Sequence, residues 1–295
     1  MSPIAVMLTP EHPEGIEVDP TQPQLLLTDQ AATRGDGVFE TLLYRHGRLR
    51  EAEAHLRRLD GSAEALGLVI PPQTRWETAI RLGLGAFLAQ TGDDAEATVK
   101  LVASRGPEDG PGSFWVFVSP VKRTAATAHG PENGLRVLLL DRGYDSGAAD
   151  RAPWLLAGAK TLSYAVNMAA QRWAKTHDAD DAIFITSDGR VLEGPTSSVL
   201  LARRGPDGTV TLLTPELETG ILAGTTQAAA FDVAREAGWE LGYGPLTPAH
   251  LMEADAVWLV SSVRLAAAVT MIDGQPVAAD PELHQILVSG LDAQL

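Results

Sequence analysis

Between Gly37 and Tyr44 the chain reads GVFETLLY, a run of β-branched, aromatic and apolar residues that predicts a strand, with Gly47 supplying the turn after it. Leu56, Leu59, Ala63 and Leu66 recur at helical spacing, and Gly67 stands where that helix would stop. Thr74 to Thr91 predicts a second helix, and Ala97 to Ser104 with Ser113 to Ser119 a strand pair. The pattern then breaks: Val121 to Gly134 reads VKRTAATAHGPENG, small and polar with one proline and two glycines, as a linker would. Beyond it, Leu135 to Leu140 predicts a strand, and Tyr164 to Lys175 a helix with Ala165, Met168, Ala169 and Trp173 on one side. Ala182 to Thr186 predicts a strand, Ser187-Asp188-Gly189 a hairpin turn, and Val191 to Ala202 the returning strand. Thr225 to Ala237 reads as a helix ended by Gly238, and Ala256 to Val260 as a last apolar strand. Strands and helices interleave in both halves, which predicts a mixed α+β (α/β) fold in two domains: a smaller one over 1–122, a linker over 123–134 and a larger one over 135–295.

Charge narrows the classes of function. Lys and Arg number 23 against 38 Asp and Glu, a formal net charge of −15, which argues against a counterion-release binder of nucleic acid and against an anionic membrane surface. Cysteine is absent, which removes disulfides, thiolate metal sites and any Cys nucleophile. Seven histidines lie scattered without ligand spacing, so no metal site is expected, and His55, three residues before Arg58, reads as a packing or hydrogen-bonding residue. The motifs GxxxxGK[ST], HExxH, GxSxG and a strand-linked GxGxxG are missing. The opening MSPIAVMLTPEHPEG lacks a basic stretch followed by a long apolar run, so a cytoplasmic location is the expectation.

What remains is lysine, hydroxyl and carboxylate chemistry. The chain has only four lysines (Lys100, Lys122, Lys160, Lys175), and Lys160 lies among apolar and small residues in WLLAGAKTLSYAVN. A desolvated lysine is a nucleophile toward carbonyls, although one near a helix start is also a common surface cation. Glu193 falls on the return strand of a hairpin, where a carboxylate is ordinarily solvated. Gly224-Thr225-Thr226 opens a helix, either as an anion site or as a plain cap, and Ser261-Ser262 follows a strand, either as an anion site or as an ordinary turn. Together they match what pyridoxal 5'-phosphate requires: an amine for its aldehyde, a carboxylate for its pyridine nitrogen, and N–H and O–H donors for its phosphate.

These features, with TRGDGVFETLLYRHGRL (33–49), AHLRRLDGSAEAL (54–66), KLVASRG (100–106), AKTLSYAVNMAA (159–170), VLEGPTSSVLL (191–201), ETGILAGTTQ (218–227) and LVSSVRLAAAV (259–269), closely resemble the fold-type IV pyridoxal phosphate enzymes. That group comprises branched-chain aminotransferases, D-amino acid aminotransferases and aminodeoxychorismate lyases. The resemblance implies a two-domain, D-amino acid aminotransferase-like fold, a homodimer, and an active site between the domains with the cofactor lysine on the larger one. It makes Lys160 the cofactor lysine and Glu193 the partner of the pyridine nitrogen, and it places Tyr164 near the cofactor's phenolic oxygen. Arg58 becomes the phosphate arginine, with Arg57 as the adjacent alternative, and Gly224, Thr225, Thr226, Ser261 and Ser262 complete the phosphate cup. Phe39, Arg105 and Arg264 are the substrate-side candidates, both arginines being equally readable as structural ion pairs. Within the family, KLVASRG and Arg264 in SSVRLAAAV point to 4-amino-4-deoxychorismate lyase, which releases pyruvate and leaves 4-aminobenzoate for folate synthesis. A D-amino acid or branched-chain aminotransferase is the alternative.

Overall fold

Val38, Glu40, Leu42 and Tyr44 alternate with Phe39, Thr41 and Leu43 along one strand, and the computed structural model, which describes residues 2–121 and 130–294, builds its first sheet around them. Most of the linker expected over Val121 to Gly134 lies outside the described residues. The chain divides into two units, Met1–Lys122 with Ala159–Tyr164, and Arg123–Gly158 with Ala165–Gln294.

In the first unit the strands are β1 (Ile4–Leu8), β2 (Ile16–Val18), β3 (Gly37–Arg45), β4 (Arg48–Leu49), β5 (Ala97–Ser104) and β6 (Ser113–Pro120), with helices α1 (Gln30–Arg34), α2 (Ala52–Ala65) and α3 (Gln73–Thr91). The sheet runs β2-β1-β6-β5-β3-β4, antiparallel throughout. Register pairs Glu40 with Leu101 and Leu42 with Val99, so these side chains share a face. That face packs with Leu56 and Leu59 of α2 and Trp76 and Phe87 of α3 into one core. The helix stop expected at Gly67 is present, with φ 56°.

The second unit holds β7 (Leu135–Asp141), β8 (Asp181–Ile185), β9 (Ser198–Arg204), β10 (Val210–Pro215), β11 (Glu240–Gly244), β12 (Ala256–Ser261), β13 (Leu265–Ile272) and β14 (Gln275–Pro276). Its helices are α4 (Ala148–Arg151), α5 (Ala165–Thr176), α6 (Thr225–Glu236), α7 (Pro248–Met252) and α8 (Pro281–Ala293). The order is β11-β10-β9-β12-β13-β7-β8, with β14 beside β13, and parallel and antiparallel pairs are mixed. Trp258 and Val260 of β12 enter a core with α6 and α8, while Val257 and Leu259 enter a second core, so β12 is apolar on both faces because both are covered. Leu283, Leu287 and Leu291 of α8 are fully buried at i, i+4 and i+8, each contributing about 1.5–3 kcal/mol.

Ala159–Tyr164, and with it Lys160, clusters with the first unit, because its backbone pairs with the start of β3. Two expectations are corrected. Val191 to Ala202 is not one strand: pairing with β8 ends at Glu193, a Gly194–Ser197 turn containing Pro195 intervenes, and β9 starts only at Ser198. Ala256 to Val260 is not the last strand, since Leu265–Ile272 follows with an alanine-rich sequence of weak strand propensity. In α5 the side carrying Ala165, Met168, Ala169 and Trp173 faces outward, with Met168 42% and Trp173 54% exposed, while Ala170 and Ala174 are buried. No helix among the described residues is long and apolar enough to cross a membrane.

Candidate functional site

In the first unit the site is organised by the segment Ala159–Tyr164 lying along β3. The Phe39 N–H donates to the Lys160 carbonyl at 3.0 Å, the Leu162 N–H to the Gly37 carbonyl at 2.8 Å, and Val38 and Thr161 form an antiparallel bridge. From the other side, Ser62 Oγ on α2 accepts the Lys160 N–H at 3.1 Å. The lysine backbone is therefore fixed by a strand and a helix at once. Its ammonium lies over the Phe39 ring, Nζ 4.7 Å from the centroid, and the Tyr164 ring meets Phe39 edge-on at 5.3 Å and 87°. Lys160, Tyr164 and Phe39, singled out separately in the sequence, thus form one cluster. Lys100, exposed on β5, reaches the same ring with Nζ at 5.5 Å.

One residue further along β3, Glu40 points into the core between Val38 and Leu42 and is 0% exposed. Its carboxylate accepts from Arg58 Nε at 2.7 Å and Nη2 at 2.8 Å, and from His55 Nδ1 at 2.7 Å. A carboxylate only accepts, so Nδ1 of His55 carries the proton. Burial alone would push the Glu40 carboxyl up; the bonds from Arg58 and His55 outweigh it and hold it down at about 2. Burial pushes His55 down, aided by the nearby charges of Arg58 and Lys160, and the bond to Glu40 only partly offsets this. Arg57, 59% exposed, pairs instead with Glu53 on the solvent side of α2. Arg105 is a clasp: its donors meet Asp36 (2.7 and 3.2 Å) and the carbonyls of Leu66 (2.8 Å) and Gly67 (3.3 Å).

In the second unit Glu193 sits where the pairing with β8 ends. Its carbonyl accepts from the Phe184 N–H at 2.9 Å, and its carboxylate accepts the Leu222 N–H at 3.2 Å. Asn167 of α5 donates to the Pro195 carbonyl at 2.7 Å, tying the following turn to the helix. Helix α6 begins at Thr225 behind Gly224, and the hydroxyl-bearing Thr225 and Thr226 are both buried. A Cβ on residue 224 would lie 2.3 Å from Ser198 Oγ, so glycine is required by close approach. The first N–H groups of such a helix have no partner within it and favour an anion. Ser261 and Ser262 are half-buried at the end of β12. Arg264 follows in the same turn, donates through Nη2 to buried Asp181 at 2.9 Å, and keeps a buried Nη1 without a partner among the described residues. Leu265, next in line, holds φ 63°.

Sequence reasoning missed Glu40 and Lys100. Glu40 had a signal, a carboxylate at an inward position of an alternating strand; Lys100 was one of only four lysines, but nothing in its spacing joins it to Phe39 across the sheet.

The family model for amino-transferase class IV matches residues 37–272. A bifunctional aminodeoxychorismate lyase / D-amino acid transaminase from Mycobacterium tuberculosis is 43% identical over 285 residues, covering 96% of this chain and 97% of its own. A hypothetical aminotransferase from Mycobacterium tuberculosis, solved in its PLP-bound form, superposes with a TM-score of 0.89 at 41% identity, over 99% of this chain and 98% of its own. A fold IV-transaminase from Curtobacterium pusillum gives 0.90 at 41% identity over 98% of each chain. The mixed α+β fold is thus that of the fold-type IV transaminases. With the family model and these relatives covering the elements that carry Phe39, Lys160, Glu193 and Thr225, the chain belongs to the class IV amino-transferase family.

Proposed function

We propose that the protein is a pyridoxal phosphate enzyme that acts as a 4-amino-4-deoxychorismate lyase and transaminates D-amino acids with the same residues. The observation that carries the reading is the state of Lys160: its backbone is clamped by Phe39 and Ser62, and its amine is held over an aromatic ring. The second activity is favoured because a relative 43% identical over nearly its whole length is named for both.

The residues present fit the cofactor. A phosphate dianion needs a cation and N–H donors, and Arg58 and the start of α6 are of that kind, with no room for a side chain at Gly224. A protonated pyridine nitrogen needs a carboxylate, and Glu193 is one whose position a backbone N–H fixes. Arg58, Gly224, Thr225, Thr226, Ser261 and Ser262 would hold the phosphate, Glu193 the pyridine nitrogen, and Tyr164 the phenolic oxygen. When bound, the cofactor supplies an electron sink for the pair left behind as a proton departs.

Lys160 does the proton work. Its amine takes the proton from the ring carbon that bears the substrate's amino group. The carbon–oxygen bond to the enolpyruvyl group then breaks, the ring becomes aromatic as 4-aminobenzoate, and the leaving group takes up a proton to become pyruvate. In transamination Lys160 would take the proton from the amino acid's α-carbon and return it, the cofactor when bound supplying the carbon that accepts it. Arg264, with one donor on Asp181 and a buried Nη1, is the proposed carboxylate anchor. Arg105 has no part in this proposal, because Asp36 and two carbonyls take its donors.

Homodimer assembly belongs to the same reading, with a second copy covering the outward apolar side of α5. Sedimentation velocity checks it, and a monomer would remove it. For the function, the purified protein is loaded with pyridoxal phosphate; one portion is reduced with borohydride and mapped, and a second, unreduced portion is incubated with aminodeoxychorismate. A reduced adduct on Lys160, with pyruvate and 4-aminobenzoate released together, is expected. A colourless protein without adduct would overturn the cofactor reading, and turnover of D-amino acids without either lyase product would leave only the transaminase.

A further inference from the structure

Glu40 is the most deeply buried charge among the groups around Lys160, and the reaction outlined above gives it no task. A buried ion pair is poor value as stabilisation, since an apolar group of similar volume commonly does as well or better. The geometry here serves orientation. Arg58 is held through Nε and Nη2 by the two oxygens of one carboxylate, the bidentate arrangement that fixes the plane of a guanidinium. His55, one helical turn before Arg58 on α2, adds a third bond at 2.7 Å that fixes the carboxylate itself. Ser62, one turn beyond Arg58 on the same helix, takes the backbone N–H of Lys160, while Phe39, next to Glu40 on β3, donates to the Lys160 carbonyl. One strand and one helix thereby set the arginine and the lysine relative to each other, and Glu40 is the bond between them on the arginine side.

We propose that Glu40 is a positioning residue for phosphate recognition: with His55 behind it, it holds the Arg58 guanidinium in the orientation that grips the phosphate monoester of the cofactor. The proposal rests on the pyridoxal phosphate reading above. Glu40 takes two of the five guanidinium N–H donors, and the phosphate takes from the remainder. Loss of the carboxylate removes the two bonds that set the plane of the Arg58 guanidinium and leaves its charge in place, so the loss of affinity follows the phosphate group and spares the rest of the cofactor.

The test compares full-length wild type and Glu40→Gln, each stripped of cofactor, for binding of pyridoxal phosphate and of pyridoxal, which lacks the phosphate. Glu40→Gln is expected to lose about ten- to a hundredfold in pyridoxal phosphate affinity, the scale of a charge-assisted contact, with pyridoxal affinity unchanged. In an Arg58→Gln background the same change is expected to have no further effect on phosphate-dependent affinity, because Glu40 acts through Arg58. Equal loss for both ligands, no loss, or a full additional loss in the Arg58→Gln background would overturn the proposal. If Glu40→Gln does not fold, His55→Ala supplies the reading: it keeps the ion pair and is expected to show a smaller loss with the same phosphate selectivity, and an unselective change overturns the proposal equally. Wild type that binds pyridoxal phosphate no better than pyridoxal would instead remove the phosphate cup altogether, which is distinguishable from failure of Glu40 alone.

Discussion

In the first unit charge is held by charge: Glu40 binds Arg58 and His55 inside the core, and Lys160 lies over Phe39. In the second unit Glu193 and the start of α6, unlike the buried Arg264–Asp181 ion pair, stand at the ends of elements and are held by the backbone: Glu193 by the Leu222 N–H, and the start of α6 by a glycine that Ser198 crowds. The difference follows from the sheets. Strand β3 turns a charged residue into a core shared with α2, where only ionic partners make it tolerable. The second sheet is apolar on both faces, which leaves its termini and turns as the places for polar work. Protonation and side-chain substitution should therefore act most on the first unit, and backbone crowding on the second.

The largest effect is expected at Lys160. Lys160→Ala removes the amine but none of the backbone bonds that fix the segment, so it should fold with an unchanged melting temperature and lose about a thousandfold or more in 4-aminobenzoate release. A loss of folding instead would show that the ammonium over Phe39 is structural. Next is Glu193→Gln, expected to keep the Leu222 contact and lower kcat about a hundredfold while cofactor still binds, as read by absorbance and steady-state kinetics. On the backbone side, Gly224→Ala must displace Ser198 and should cost about 1–3 kcal/mol in denaturant unfolding together with pyridoxal phosphate affinity. Unaltered stability there would break the contrast between the units.

How much of this could be read from the chain depends on the range of each interaction. Strand β3, helices α2 and α3, the β5–β6 pair and α6 are local patterns, and their periodicity and glycine stops are visible in the residues themselves. Lys160, Glu193 and Thr225 were singled out because residue type and the family pattern agree there. The placement of Lys160 with the first unit was not legible, since it depends on pairing between residues 37–39 and 160–162, more than a hundred positions apart. Glu40 was hidden for the same reason: its partners are on another element, and only the fold shows that an inward carboxylate meets His55 and Arg58. The apolar side of α5 was legible as a stripe but not what meets it, since periodicity does not tell the chain's own core from solvent or another surface.

The smallest effect expected concerns acid, and it separates the two units by pH. The Glu40 carboxyl is held at about 2 against an ordinary 4.5, so its contribution to stability is complete above pH 4.5 and disappears as pH falls from 4.5 toward 2. His55 is pushed below its ordinary 6.5 and stays neutral in the fold, so the unfolded chain binds a proton first and stability also declines as pH falls below 6.5. Both slopes have the same sign and lie on β3 and α2. In the second unit the lowered carboxyls of Asp145, Asp188 and Asp207 are on the surface, where salt screens them. Amide hydrogen exchange on acidification should accordingly show β3 and α2 losing protection in a manner insensitive to salt. Glu40→Gln should start less stable at pH 7 but show a flatter decline between pH 4.5 and 2. A parallel decline in wild type and variant would mean that Glu40 is not the group whose protonation loosens the first unit.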